Sequence, residues 1–93
     1  MAIIYKICPR PAWQDAKHEG TYTGSPDDQR DGFIHLSTAP QLAGTLRKHF
    51  RGQSNLVLIA FDPKDLGPAL KWEPSRDGVL FPHLYAPLTP DLA

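Results

Sequence analysis

The sequence predicts a single α+β domain, and three observations carry that expectation. The chain has 93 residues, enough for one modest hydrophobic core and too few for a second domain. An apolar share of 41% beside 22% charged residues belongs to a folded globular chain rather than a disordered one. Strand-like runs outnumber helical ones and gather late in the chain, which is too rich in successive strands for a parallel doubly wound sheet. The predicted order is β-α-β-β-α-β-β-β.

Residues 2–8 alternate, with Ile3, Tyr5 and Ile7 on one face, and read as a first strand that Pro9 and Pro11 stop. From 11 to about 19, Ala12, Trp13, Ala16 and Lys17 share one side of a short helix opened by proline, closed by Gly20 and anchored by Trp13. Residues 21–24 read as a brief strand. The run Ser25-Pro26-Asp27-Asp28-Gln29-Arg30-Asp31, rich in turn formers and charge, reads as an exposed, mobile loop.

A strand over 32–36 follows. Ser37 or Thr38 then caps a helix to about Phe50, with Pro40 in its first turn and a buried stripe of Leu42, Ala43, Leu46 and Phe50. The continuous apolar run 56–61 predicts a central strand buried on both faces, the spine of the sheet. Residues 62–68 read as a loop, 70–74 as a short strand, 75–78 as a turn and 79–85 as the last strand.

Composition narrows the function classes. Ten basic and ten acidic residues balance, which removes the electrostatic footprint of a protein that grips a nucleic-acid backbone, so nucleic acid is not an expected partner. The cluster Arg47, Lys48, His49 and Arg51 falls at a predicted helix end, where cations complement the helix dipole. One cysteine, Cys8, excludes an internal disulfide and makes the cytoplasm the expected compartment. No stretch approaches the roughly 18 apolar residues of a membrane span, and the first residues lack a leader pattern. His18, His35, His49, His83 and Cys8 match no compact ligand spacing, so no metal is expected.

Two motifs could carry chemistry. In Asp31-Gly32-Phe33-Ile34-His35-Leu36-Ser37-Thr38, a strand hands over to a helix, and alternation sends Phe33, His35 and Ser37 to one face. An imidazole beside a helix N-terminus can donate to a phosphate or sugar oxygen or move a proton near neutral pH. Ser37 and Thr38 also serve as ordinary caps, worth about 1 kcal/mol. In Gly78-Val79-Leu80-Phe81-Pro82-His83-Leu84-Tyr85, Phe81, His83 and Tyr85 share a face.

If the two faces meet, Phe33 and Phe81 wall a slot for a planar ring, and His35 and His83 supply directional hydrogen bonds. Lys71-Trp72-Glu73 adds a carboxylate, which a surface pairing with Arg76 or Lys71 would leave without catalytic use.

From Ile4-Tyr5-Lys6-Ile7 through Trp13, Gly20-Thr21-Tyr22, residues 31–38, Trp72-Glu73 and residues 81–85, the chain resembles a family of small bacterial proteins grouped as a domain of unknown function, DUF952. That resemblance implies an ADP-ribosyltransferase-like fold, a mixed sheet with two helices, and supplies no reaction. The segment Phe33-Ile34-His35-Leu36-Ser37, the following helix, the apolar strand ending in Asp62 and Asp77-Gly78-Val79 also look like the strand-helix-strand unit of NAD-dependent RNA 2'-phosphotransferases. In those enzymes several arginines grip an RNA phosphate and the NAD diphosphate. The arginines here are Arg10, Arg30, Arg47, Arg51 and Arg76. The Glu-x-Glu motif of arginine-specific ADP-ribosyltransferases is absent, and Glu73 stands alone beside Trp72.

The resemblance implies a nucleotide-like small molecule in the cleft, NAD or a related ADP-ribosyl compound, with NAD as substrate and ADP-ribosyl transfer as the reaction. His35 would hydrogen-bond the ribose or diphosphate, and Ser37 and Thr38 would orient the nicotinamide ribose. Phe33, Tyr22, Phe81 and Tyr85 would pack on rings. His83 and Glu73 would polarise the nicotinamide ribose or position an acceptor, since an oxocarbenium-like departure needs a nearby carboxylate or dipole. The alternative is a non-catalytic module that binds a metabolite or a protein partner with the same face. A third reading is a histidine pair that only braces the sheet.

Overall fold

The computed structural model describes residues 2–93, with the side chain of Arg76 outside the described residues, and with it the pairing of Glu73 to Arg76. Strand β1 (Ile4–Pro9) carries Ile4 and Cys8 on one face and Ile7 on the other, and all three are buried. A strand covered on both faces belongs in the middle of a sheet. Accordingly β1 lies between β3 (Ser37–Thr38) and β4 (Leu56–Phe61), antiparallel to both, in the order β3-β1-β4.

The spine is therefore β1, and the expectation for 56–61 is corrected. β4 is an outer strand of this sheet: Ile59 and Phe61 turn into the core, whereas Leu58 is 55% exposed. Apolar residues at both parities made the run look doubly buried, but only one parity faces the core.

Helix α1 (Arg10–Glu19) follows β1 at once, with Pro11 in its first turn and Gly20 closing it in a left-handed conformation. Trp13 and Ala16 are its buried residues, while Lys17 is exposed and outside the stripe. The Trp13 ring meets Phe61 edge-on at 6.2 Å and Tyr22 at 5.8 Å, which anchors the helix to the sheet as expected. Residues 21–24 form no strand: Tyr22 makes an isolated antiparallel bridge with Leu88.

The segment read as a mobile loop is instead helix α2 (Pro26–Asp31). Ser25 caps it through its hydroxyl, which accepts from Asp28 N at 3.2 Å, and the Asp28 carboxylate accepts from Ser25 N at 2.9 Å. That reciprocal capping box satisfies two donors that a helix start otherwise leaves open.

The strand expected over 32–36 is shorter and does something else. β2 (Ile34–His35) pairs with β6 (Leu80–Leu84) in a second antiparallel sheet, of order β2-β6-β5, where β5 is Leu70–Pro74. Two residues on, β3 pairs with β1 in the first sheet, so the chain changes sheets at Leu36.

A 3-10 turn (Ala39–Gln41) precedes helix α3 (Leu42–His49). The buried stripe expected there is corrected, since no α3 residue is buried: Ala43 is exposed, Leu46 is 41% exposed, and Leu42 and Phe50 are half-buried. The helix lies over β3 at the rim of a cleft and covers little of the core. Residues 62–68 also turn helical, as α4 (Pro63–Leu66) capped by Asp62 and a 3-10 turn (Gly67–Ala69).

The α+β class stands, with strand pairing antiparallel rather than mixed and four α-helices rather than two among the described residues. The core gathers Ile4, Trp13, Leu36, Phe61, Leu84 and Leu88 between the layers. No helix among the described residues is long and apolar enough to cross a membrane.

Candidate functional site

The register of the second sheet brings the two motif faces together, because His35 and His83 are direct partners across β2 and β6. Side chains opposite each other in an antiparallel pair leave the sheet on the same side. The two imidazole centroids stand 5.7 Å apart. His35 and His83 line a cleft that is open at its mouth, together with Ser37, Phe81, Lys6 and residues of α2 and α3.

The same register separates the two phenylalanines, which form no common slot. Phe33 lies toward Tyr85, with ring centroids 5.3 Å apart, and stacks on His83 at 4.0 Å. Phe33 and Tyr85 thus border a neighbouring recess, whereas Phe81 lines the cleft itself.

Each histidine is backed by a carboxylate. His35 Nδ1 lies 2.6 Å from Asp28 Oδ1, which also accepts from His35 N at 3.1 Å. The other oxygen, Oδ2, accepts from Lys6 Nζ at 2.8 Å and from Ser25 N. Lys6 Nζ donates in addition to the His35 carbonyl at 3.0 Å. Lys6 and Asp28 are 4% and 2% exposed, a buried ion pair directly behind the imidazole. Burial alone would push the Asp28 carboxyl up, but the hydrogen bond from His35 and the Lys6 charge outweigh it and hold it well below the ordinary aspartate range.

On its outer side His35 meets Asp31, with Nε2 3.0 Å from Oδ2 at the cleft mouth. Arg30 pairs there with Asp31 and Asp27, and its hydrogen bond to Asp31, joined by its charge, outweighs the opposing desolvation and leaves the Asp31 carboxyl below its usual range.

His83 is buried, and its Nδ1 lies 2.8 Å from Glu73 Oε1. The Tyr85 hydroxyl donates to the same oxygen at 2.7 Å. These bonds, that of Tyr85 before that of His83, lower the Glu73 carboxyl, and Glu73 in turn raises the Tyr85 hydroxyl. Glu73 does not line the cleft. It stands against Nδ1 of the His83 ring.

The remaining candidates divide. Ser37 lines the cleft and its hydroxyl bonds that of Thr45 on α3 at 3.0 Å. Thr38 is not part of the lining: its backbone N–H donates to Gln41 Oε1, and Gln41 in turn reaches the Leu80 carbonyl. Tyr22 is corrected outright. Its ring is buried in the core against Trp13, where burial foremost pushes its hydroxyl up, and no cleft ligand reaches it.

Among the arginines with described side chains, Arg30 alone lines the cleft. Among the described residues no cluster of three or more histidine, cysteine or acidic side chains could hold a metal ion.

Sequence reasoning missed Asp28 and Lys6. Two signals were present: a Ser-Pro-x-Asp pattern that spells a capping box, and a lysine within an otherwise apolar strand.

The description "Protein of unknown function (DUF952)" belongs to the family that matches residues 7–92. The crystal structure of protein CC0527 from Caulobacter crescentus is 52% identical and superposes with a TM-score of 0.93, covering 97% of this chain and 79% of that one. The solution NMR structure of the same protein superposes with a TM-score of 0.87 at 52% identity, covering 99% of this chain and 79% of that one. No curated protein matches the chain.

Proposed function

The chain belongs to the DUF952 family of proteins of unknown function, and from that premise we propose that its cleft binds an ADP-ribosyl compound such as NAD. The observation that carries this reading is the cross-strand pair His35 and His83, two imidazoles on one cleft, each with Nδ1 turned toward a carboxylate. Such a pair presents two directional ring nitrogens at fixed positions, which suits the hydroxyls and phosphate oxygens of a ribosyl diphosphate. The likeness of the His35 segment to NAD-dependent phosphotransferases supports the same class of ligand.

In this reading His35 bonds a ribose or diphosphate oxygen at the mouth, Ser37 meets the ribose, and Phe81 packs on a ring. His83 presents Nε2 to the nicotinamide ribose, and Glu73 acts through it as a positioning residue. The transfer step would break the bond between the nicotinamide nitrogen and ribose C1', release neutral nicotinamide, and join C1' to an acceptor whose proton passes to His83. Residence in the cytoplasm, where NAD is present and thiols stay reduced, goes with this reading, and the free, buried Cys8 supports it.

The test is thermal stabilisation and calorimetry with NAD, ADP-ribose and nicotinamide, on wild type and His35→Ala. NAD or ADP-ribose at 100 times its dissociation constant should add about 2.7 kcal/mol to wild-type stability and much less to the variant. No response to any of the three would overturn the proposal.

A second reading, binding without transfer, is favoured by the position of Glu73: Oε1 already accepts two hydrogen bonds, and the cleft-lining carboxylates Asp28 and Asp31 are engaged with His35. Ligand binding with no release of nicotinamide from NAD selects this module, whose target would be a metabolite or a protein.

A further inference from the structure

We infer that Asp28, tied to Lys6, is the positioning residue of the cleft: it turns Nδ1 of His35 into the protein and thereby directs Nε2 toward the ligand. The inference rests on the reading of the cleft as a ligand site with His35 as a contacting group, although its first test needs no ligand.

The Asp28 carboxylate is surrounded by four donors. Oδ1 faces His35 N and Nδ1, and Oδ2 faces Lys6 Nζ and Ser25 N. Only a group that accepts at both ends satisfies all four, and an ionised carboxylate is that group. Lys6 closes the arrangement by holding the His35 carbonyl, so the backbone on both sides of His35 and one edge of its ring are gripped by two buried charges.

Burying a lysine and an aspartate is an expensive way to support a fold, since an apolar pair of like volume is often as stable. Helix α2 points the same way. Asp28 is the one buried residue in its six, so the contribution of α2 to the interior is to deliver this carboxylate.

The free side of the ring is consistent with the role. The His35 side chain is 36% exposed, and its Nε2 contact, Asp31, lies at the mouth and is itself partly exposed. A ligand hydroxyl that donates to Nε2 can replace Asp31 there, whereas the Asp28 side is buried. Fixing the far nitrogen of a functional imidazole through a buried carboxylate sets its tautomer and its direction, as outer-shell carboxylates do for metal-bound histidines.

The experiment is long-range proton–nitrogen correlation of the histidine rings in uniformly labelled protein, followed by titration with ADP-ribose. In wild type, His35 Nδ1 should carry a proton that is shifted downfield and slow to exchange. An unprotonated or freely exchanging Nδ1 overturns the inference without any variant.

In Asp28→Asn the amide NH2 must face one pair of donors. The His35 Nδ1–H signal should therefore be lost or divided between tautomers, and ADP-ribose affinity should fall at least tenfold. The combined variant with His35→Ala should fall no further than His35→Ala alone. If Asp28→Asn keeps the wild-type ring signature and affinity, Asp28 only braces the fold.

Lys6→Met, which leaves Asp28 its other three donors, should lose stability and keep the Nδ1–H signature, so a poorly folding Asp28→Asn does not end the test. Loss of the Lys6→Met signature in a folded protein would show that Asp28 does not orient the ring. If wild type binds neither NAD nor ADP-ribose, the proposed ligand class fails, while the ring signature still decides the role of Asp28.

Discussion

Asp28 and Lys6 sit 22 residues apart in the chain and 2.8 Å apart in space, a buried ion pair that holds both the ring and the backbone of His35. Removing Asp28 leaves a buried ammonium without its counter-charge and two backbone donors without an acceptor. Asp28→Ala should therefore cost about 3–5 kcal/mol, read from urea unfolding at pH 7, with Lys6→Met costing less because Asp28 keeps three donors.

The sign of the pH dependence follows from the direction of the shift. Asp28 ionises at lower pH in the folded chain than in the unfolded one, so its contribution is complete above the unfolded value of about 3.9. It is lost as pH falls below that value toward the folded one. Urea midpoints of wild type and Asp28→Asn should differ by a constant amount above about pH 5 and converge as pH falls from there. A constant difference down to acid unfolding would show that Asp28 is not depressed. Asp31 and Glu73 are shifted the same way, but their side chains are partly open to solvent and contribute little.

At the scale of elements, α2 shows what local pattern can and cannot reveal. β1, α1, β5 and β6 are legible because alternation, proline and glycine act within a few residues. The shared face of His35 and Ser37, and that of His83 and Tyr85, are legible for the same reason. Helix α2 reads as a loop because it has no apolar stripe, and its single inward residue is an aspartate, which pattern assigns to solvent. β4 reads as a spine because its position at one side of the sheet is settled by distant pairing. Tyr22 reads as a ring for a ligand, but its bridge to Leu88 and its contact with Trp13 place it in the core.

The glycines around α2 give a test at this scale. Gly24 has φ +107, and a Cβ there would lie 2.7 Å from Asp28 Cβ; Gly32 has φ +83, and a Cβ there meets nothing within 4 Å. Gly32→Ala should cost only the backbone strain of a left-handed alanine, about 1–2 kcal/mol. Gly24→Ala should cost more, because it also displaces Asp28. Only Gly24→Ala should weaken ADP-ribose binding, as calorimetry on the two purified variants would report, and equal affinities would remove Asp28 from the account of the cleft.

At the scale of the whole molecule, the two sheets are joined by the strand that changes partners at Leu36. Leu36 N donates to the Pro82 carbonyl in the second sheet at 3.0 Å, while the next residue, Ser37, is in register with Tyr5 in the first. The Leu36 side chain is buried in the shared core. His35 belongs to one sheet and Ser37 to the other, so the cleft keeps its shape only while the sheets stay docked.

The two tryptophans report on the two halves. Trp13 packs on Phe61 of the first sheet, and Trp72 lies on β5 of the second. If the sheets unfold as one unit, Trp13→Phe and Trp72→Phe proteins, each with one fluorophore left, should show coincident urea transitions. Leu36→Ala should lower both midpoints together by about 2–5 kcal/mol of stability, since it empties a position that both sheets cover. Transitions that separate, or a shift confined to one tryptophan, would mean that the sheets fold independently and that the His35 to Ser37 geometry is imposed by local pairing rather than by the common core.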